Sequence, residues 1–572
     1  GDKPLKNYRI LHDDLLKGGK LTFELQTGKW MKLTGLLFAA ALLGSCTQPA
    51  AEENYTRHVD PKIGTGGHGH VFVGANVPFG LVQVGPTSIP QTWDWCSGYH
   101  ASDSTVIGFS HTHLSGTGIG DLFDVTVMPV TGEVTYARGE EADPASGLWS
   151  YADRTQEIAR PGYYSVPLTR YGIRAELTAT ARVGLHRYTF PASDAAAVVF
   201  DLENGGCWDK ATETHLAKEG DRTVTGWRHS TGWAKDQRVY FVAEFSKPFE
   251  KFEAIGDNYA RASFRTTDGE QVSLKVALSP VSVEGAKANL AAELSGWDFD
   301  ATAKAADKAW NDELSKVKIT TADETARRIF YTALYHTMIA PSLFCDVNGD
   351  YYGSDHAIHR NADFTNYTTF SLWDTYRAAM PLMTVLHPER MPDIIQTMLH
   401  ISDEQGRLPV WHLWGNETDC MVGNPGIVAV ADAIVKGIGG FDREKAFETI
   451  RKTAMNPDRG NGLRMEYGYI PCEMFNEAVA YDMEYALADG AAARAAETLG
   501  KAEDAKYFEE RSHSYRNYFD PATRFMRGRD SKKGWRTPFN AFASTHRADD
   551  YCEGNAWQYT WLAPHDLSLI HI

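Results

Sequence analysis

The chain has 572 residues, 43% of them hydrophobic and 23% charged, so it is globular and long enough for two or three domains. Its formal charge of −17 makes it a poor match for a polyanion and excludes nucleic acid as a main partner. Seven cysteines without a CxxC pair exclude a zinc ribbon or a thioredoxin-like motif, and their wide spacing gives no disulfide pairing.

The first readable element is Met31 to Cys46, MKLTGLLFAAALLGSC. A Lys behind a Met, a short apolar run and small residues make a secretory signal too short to span a bilayer as a mature helix. Leu43-Gly44-Ser45-Cys46 has the form of a lipobox. Cys46 is therefore expected to carry lipid and to begin an exported lipoprotein, periplasmic or on the outer-membrane surface, held to the membrane by that anchor only. Thr47 to Asn54 reads as a polar tether. Because a signal peptide should begin a protein, residues 1–30 are expected to be extraneous upstream sequence.

Residues 55–282 read as β-rich. Ala196 to Leu202, Arg238 to Phe245 and Val272 to Leu278 are short β-branched or aromatic runs between turn residues, the pattern of a sandwich. Residues 283–318 become Ala-rich and helical, a linker of two helices. Residues 319–572 carry helical periodicity over Ala322–Ser342, Pro381–Asp403, Pro425–Lys436, Arg443–Met455, Phe475–Leu499 and Ala502–Tyr518. Repeated helix pairs with Trp, His and acids in their loops fit an (α/α) toroid. The chain stops soon after the aromatic stretch Trp557–Asp566 with no closing pattern, so a truncation inside this domain is expected.

Two groups of motifs carry chemistry. In the β-rich half, Ile63–His70 is Gly-rich but lacks the Lys-Ser/Thr pair of a phosphate loop. Trp93 and Trp95 in WDWCSGY are candidate platforms for a sugar face. His68/His70 and His111/His113 have metal-pair spacing without a third ligand, and a structural role is favoured for them. In the helical half, Ser371–Arg377 sets Asp374 between Trp373 and Arg377. Leu408–Cys420 gathers two Trp, His412, Glu417 and Asp419. Tyr469–Glu473, Glu477 and Tyr551–Trp561, with Glu553, follow. Carboxylates beside aromatic walls are what glycoside hydrolysis needs: one acid with a raised pKa protonates the leaving oxygen, and a second carboxylate activates water or attacks.

Seven strings in order, VDPKIGTGGHGHVFVGANVPFGLVQVGP, WDWCSGYH, GFSHTHLSGTGIGD, SLWDTYR, LPVWHLWGNETDCMVG, YGYIPCE and EGNAWQYTW, resemble glycoside hydrolase family 92 over about Tyr55–Asp566. The resemblance implies a calcium-dependent exo-α-mannosidase acting with inversion on mannose-containing glycans. It also implies an N-terminal β-sandwich, a helical linker and a C-terminal (α/α)6 barrel, with the active site between the two domains. By resemblance Glu553 is the general acid, and Asp374 holds the sugar in the −1 subsite. Trp93 or Trp95 reaches over from the sandwich, and Glu417 and Asp419 lie near the mouth. The family's HGNEP-like and GNDDxGxMSAW-like loops, which would supply the general base and most Ca2+ ligands, are absent from the 572 residues, so the chain as given is expected to be inactive. Asn7 to Lys29 also resembles the far C-terminal end of the same family. Two alternatives stand beside this reading: a non-catalytic glycan-binding lipoprotein using the same Trp loops, and a related sandwich-plus-toroid glucoside hydrolase or phosphorylase.

Overall fold

The computed structural model describes residues 23–24, 53–143, 145–206 and 208–567. The signal segment and Cys46 lie outside the described residues, as does nearly all of residues 1–30.

Two large antiparallel sheets form the body of the N-terminal half. The larger has eight strands in the spatial order Lys210–Glu219, Thr223–Thr231, Gln237–Phe245, Glu270–Ser279, Val183–Phe190, Ile173–Ala179, Tyr163–Leu168 and Ile158–Arg160. The smaller has six, in the order Lys251–Ile255, Tyr259–Thr266, Ser193–Asp201, Thr126–Thr131, Gly108–Ser110 and Gly85–Thr87. Strand side chains alternate between faces. Phe241, Ala243 and Phe245 therefore enter a core shared with Val198 and Phe200 of the other sheet, where the Phe200 and Phe241 rings stack at 6.2 Å. Val242, between them, points the other way. Together with Val183, Leu185 and Ala277 it packs against Ala286, Leu294, Phe299 and Ala303.

Those last residues belong to or flank α1 (Val283–Glu293) and α2 (Phe299–Leu314). The larger sheet is thus covered on both faces, which explains why Val276, Ala277 and Leu278 are apolar and buried in succession. Ser282 starts α1 by accepting from the Gly285 amide at 3.0 Å, and Asp298 starts α2 through Ala301 at 2.9 Å. Each such cap contributes about 1 kcal/mol.

The C-terminal half is helical: α3 (Glu324–His336), α4 (Ala379–Leu386), α5 (Met391–Gln405), α6 (Pro425–Val435), α7 (Arg443–Ala454), α8 (Asn461–Tyr467), α9 (Ala478–Thr498) and α10 (Ala502–Arg511). The single helix expected over Pro381–Asp403 is two helices. Pro388 has no amide to donate and disfavours helical geometry at His387, so the chain breaks there. The helix expected over Ala502–Tyr518 ends at Arg511, and Ser514–Tyr518 continues as a 3-10 turn. The 21-residue α9 is buried on nearly every side. A helix buried on nearly every side belongs in a core, and its small Ala faces let α6, α7 and α10 approach closely.

The halves are joined by buried contacts. Phe72 and Phe79 of the β-rich part enter the helical core beside Tyr335 and Met338. Trp233 meets Trp411 edge-to-face at 5.3 Å. Asn416 accepts from the Asp236 amide and donates to its carbonyl, both at 3.0 Å, while Tyr352 donates to the Asp236 carboxylate at 3.0 Å. Cys96, Cys345, Cys420, Cys472 and Cys552 are buried, and none of them is bridged to another of these five. No helix of the described residues is long and apolar enough to cross a membrane.

Candidate active site

A three-stranded sheet joins two of the motif loops. Phe370–Ser371 pairs with Trp411–Leu413, which pairs in turn with Asn416–Glu417. This places the Ser371–Arg377 turn beside the Leu408–Cys420 loop. Leu372 and Tyr376 are buried and anchor that turn, leaving Asp374 facing solvent.

A buried carboxylate from α9 organises the turn. Glu484 Oε1 accepts from Trp373 Nε1 at 3.0 Å and from Arg377 Nη2 at 2.6 Å, and its Oε2 accepts from the Tyr376 hydroxyl at 2.8 Å. Burial pushes the Glu484 carboxyl up, and Arg377 and the hydrogen bonds oppose that rise. Sequence reading missed this residue. The signal was present: Asp482, Glu484 and Asp489 interrupt a helix otherwise filled with Ala. An acid on an all-buried helix must be paired, and Arg464 takes Asp482 and Asp489, at 2.6 Å each.

Glu553 sits at a positive φ of 45°, followed by Gly554 and a capping box. Asn555 Oδ1 accepts from the Trp557 amide at 3.1 Å and the Gln558 amide at 3.4 Å, and Gln558 Oε1 accepts from the Asn555 amide at 2.9 Å. The Tyr559 hydroxyl donates to the Cys552 carbonyl at 2.8 Å. The turn is thereby fixed on both sides of the exposed Glu553 side chain. Left-handed backbone at a residue with a side chain costs on the order of 1 kcal/mol and must be held by such surroundings.

Asp374 and Glu553 face one another electrostatically. Although Asp374 reaches solvent, its carboxyl is pushed up to about 6, first by desolvation from the surrounding protein and then by the Glu553 carboxylate, while Arg377 pulls it down. Trp373, Arg377, Cys552, Glu553, Gly554, Gln558, Tyr559 and Leu562 line a cleft of about 220 Å³. Behind it, Glu477 is buried at the start of α9; desolvation raises its carboxyl, against the nearby Arg547 guanidinium. Arg547 also donates to the Cys420 carbonyl at 2.5 Å, tying the Leu408–Cys420 loop to this wall.

The remaining sequence candidates are placed differently. Glu417 turns inward and accepts from the amides of Val410 at 2.7 Å, Trp411 at 2.9 Å and Asp419 at 3.1 Å. It is a staple of its own hairpin. Asp419 pairs with Arg407 and, at 3.3 Å, with Arg459. Trp95 stacks on His100 at 4.3 Å and donates to Asp103 at 2.7 Å. Trp93 is 47% exposed; its Nε1 donates to the Gly118 carbonyl at 2.8 Å, and the ring meets His70 edge-on at 4.3 Å. Of the two, Trp93 keeps an open face.

The histidine pairs are absorbed into the β-rich half. His111 contacts His186 at 2.9 Å, and His113 contacts the Gln83 carbonyl at 2.8 Å. Burial lowers them to about 3 and about 4, so both are neutral. His68 contacts Asp94 at 2.5 Å. Asp124, three residues beyond the third motif, is structural: Arg228, fully buried, pairs with Asp124 at 2.7 Å and Asp209 at 2.5 Å.

Two groups have metal-ligand spacing among the described residues: Glu313, His387 and Glu389, and Asp355, His359 and Glu404. Calcium takes six to eight oxygen ligands. Each group offers only two carboxylates and an imidazole, and Lys316 already sits among the first at 2.7 Å from Glu313 and 3.0 Å from Glu389. Neither fits calcium.

Comparison with known proteins places this geometry. The profile of the Glycosyl hydrolase family 92 N-terminal domain matches residues 58–279, and that of the Glycosyl hydrolase family 92 catalytic domain matches residues 285–571. A solved family GH92 α-mannosidase from Bacteroides thetaiotaomicron, in complex with mannoimidazole, is 39% identical with a TM-score of 0.86, over 90% of this chain and 71% of that one. A family GH92 inverting mannosidase from Bacteroides thetaiotaomicron is 29% identical with a TM-score of 0.79, over 89% of this chain and 71% of that one. An uncharacterized secreted glycosidase of Arthroderma benhamiae is 25% identical over 95% of this chain and 74% of its own length.

Proposed function

The chain belongs to glycosyl hydrolase family 92 and is a glycoside hydrolase, and on that premise we propose that it is an exo-acting α-mannosidase, removing terminal α-mannose from glycans with inversion at the anomeric carbon. The observation that carries this reading is the electrostatic coupling of Glu553, on the wall of the cleft, to Asp374 on the adjoining turn, which helps push the Asp374 carboxyl up to about 6.

Glu553, exposed on a turn fixed by the Asn555–Gln558 capping box, is the general acid that protonates the leaving oxygen. Asp374 binds a sugar hydroxyl, and its raised pKa lets it donate as well as accept. Trp93 supplies the apolar face from the sandwich side. Glu484 holds Trp373, Tyr376 and Arg377 in register without touching the sugar. Glu417 and Asp419 shape the neighbouring hairpin wall. The helical half is read as part of an (α/α)6 toroid, with the cleft at its mouth beside the sandwich.

Inversion needs a second carboxylate that activates water opposite the acid. The 572 residues contain neither the HGNEP-like nor the GNDDxGxMSAW-like string. Alone they are expected to hydrolyse no mannoside. Calcium dependence belongs to the same proposal, with oxygen ligands outside the groups described above. Cys46 is the lipid anchor of an exported enzyme; Cys46→Ala should move the protein from the membrane fraction to the soluble fraction.

Aryl α-mannoside hydrolysis tests the reading, using this chain and a polypeptide that continues it through both loop strings. The second should release β-mannose first, seen by NMR, and lose turnover with chelator. Release of α-mannose first, or equal cleavage of an aryl α-glucoside, would overturn it.

A further inference from the structure

We propose that Asp355, His359 and Glu404 form a binding site for a divalent transition cation of the zinc class, separate in its residues from the glycan cleft. The site is built by two elements. Tyr351–Tyr352 pairs with Ile358–His359, and Asp355 lies in the turn between them. Glu404 comes from the last turn of α5.

His359 Nε2 lies 3.1 Å from Asp355 Oδ1 and 3.5 Å from Glu404 Oε1. Zinc binds nitrogen and carboxylate oxygen at about 2.0–2.2 Å in a tetrahedron, whose ligand-to-ligand edge is then about 3.4 Å. The observed separations match that edge with little movement. Two carboxylates face one imidazole, and among the described residues no Lys or Arg lies within 4.0 Å of either carboxylate. The Glu313 group differs, since Lys316 supplies its cation.

Supporting hydrogen bonds fix the ligands as metal ligands are usually fixed. The Tyr351 hydroxyl donates to Glu404 Oε1 at 2.9 Å, the Ser354 amide to Oε2 at 2.7 Å, and the Ala357 amide to Asp355 Oδ1 at 3.0 Å. The His359 ring lies flat on Tyr351, at 4.8 Å and 9°. Gly353 closes one side: a Cβ there would lie 2.7 Å from both Asp355 Oδ1 and His359 Nε2. Glycine leaves that approach clear. Side-chain exposures of 36% for Asp355 and 35% for His359 give an entry path and leave a fourth position for water. The imidazole ligand selects a zinc-class ion over calcium or magnesium, which take oxygen.

The test is calorimetric titration of ZnCl2 into the chelator-stripped full chain. Wild type should bind one equivalent saturably, and cobalt should give the visible absorption of a four-coordinate nitrogen–oxygen site. His359→Ala should abolish the binding. Gly353→Ala, which keeps all three ligands and places a methyl group against them, should weaken it at least tenfold, and Tyr351→Phe about tenfold. No saturable binding to wild type, or affinity unchanged in both His359→Ala and Gly353→Ala, overturns the proposal. The readout is binding, so it stands or falls independently of mannosidase activity.

Discussion

Arg377 Nη2 lies 2.6 Å from Glu484 Oε1, pairing a side chain 41% exposed at the cleft with one 3% exposed inside the helical core. The pair fixes how the Ser371–Arg377 turn presents Asp374. Removing one partner of a buried pair leaves an uncompensated charge and costs about 3–5 kcal/mol. Arg377 can rehydrate, so Glu484→Ala should fall at the lower end, about 3 kcal/mol, measured by urea unfolding. Glu484→Gln keeps one acceptor oxygen for Trp373, and its amide nitrogen can donate to the Tyr376 hydroxyl, so it should lose less.

Asp374 gives a pH signature. Its folded pKa of about 6 lies above the unfolded value of about 3.9. Between those values the native state holds more protons than the unfolded chain, so stability falls as pH rises through that window. Asp374→Asn removes the penalty. It should stabilise the protein at pH 7.5 and leave it unchanged near pH 3.5, by urea unfolding at both. Glu553→Gln removes the second cause of the shift and should lower the Asp374 titration midpoint followed by carboxyl NMR.

The two tryptophans of the WDWCSGY loop should separate. Trp93 keeps a free face, whereas Trp95 is stacked on His100 and bonded to Asp103. Trp93→Ala should weaken mannoimidazole binding about tenfold with little change in stability. Trp95→Ala should lower stability by about 1 kcal/mol from the lost stack and leave binding of correctly folded protein nearly unchanged. Calorimetry and urea unfolding together decide.

Much of this was legible in the sequence because it is local. A β-branched and aromatic run between turn residues marked Arg238–Phe245 as a strand, and the Ala-rich pattern over residues 283–318 marked the linker helices. Asp374 and Glu553 stood out as acids beside Trp residues. What pairs across sequence distance was not legible. Glu484 lies 107 residues from Arg377, and nothing near either residue names the other. Glu417 looked like a mouth carboxylate; the hairpin that turns it onto three amides depends on pairing with Phe370–Ser371. The choice between Trp93 and Trp95 rests on His100 and Asp103, whose approach is a loop fold rather than a period. The break at His387 was readable from Pro388, but the apolar spacing masked it.

The role of Glu553 is tested most directly by kcat and KM for aryl α-mannoside hydrolysis, comparing Glu553→Gln with its parent in a polypeptide that continues this chain through the two loop strings. Loss of a general acid should lower kcat by about 10²–10⁴-fold while KM stays within a few-fold. An unchanged kcat in a folded Glu553→Gln protein would contradict the account.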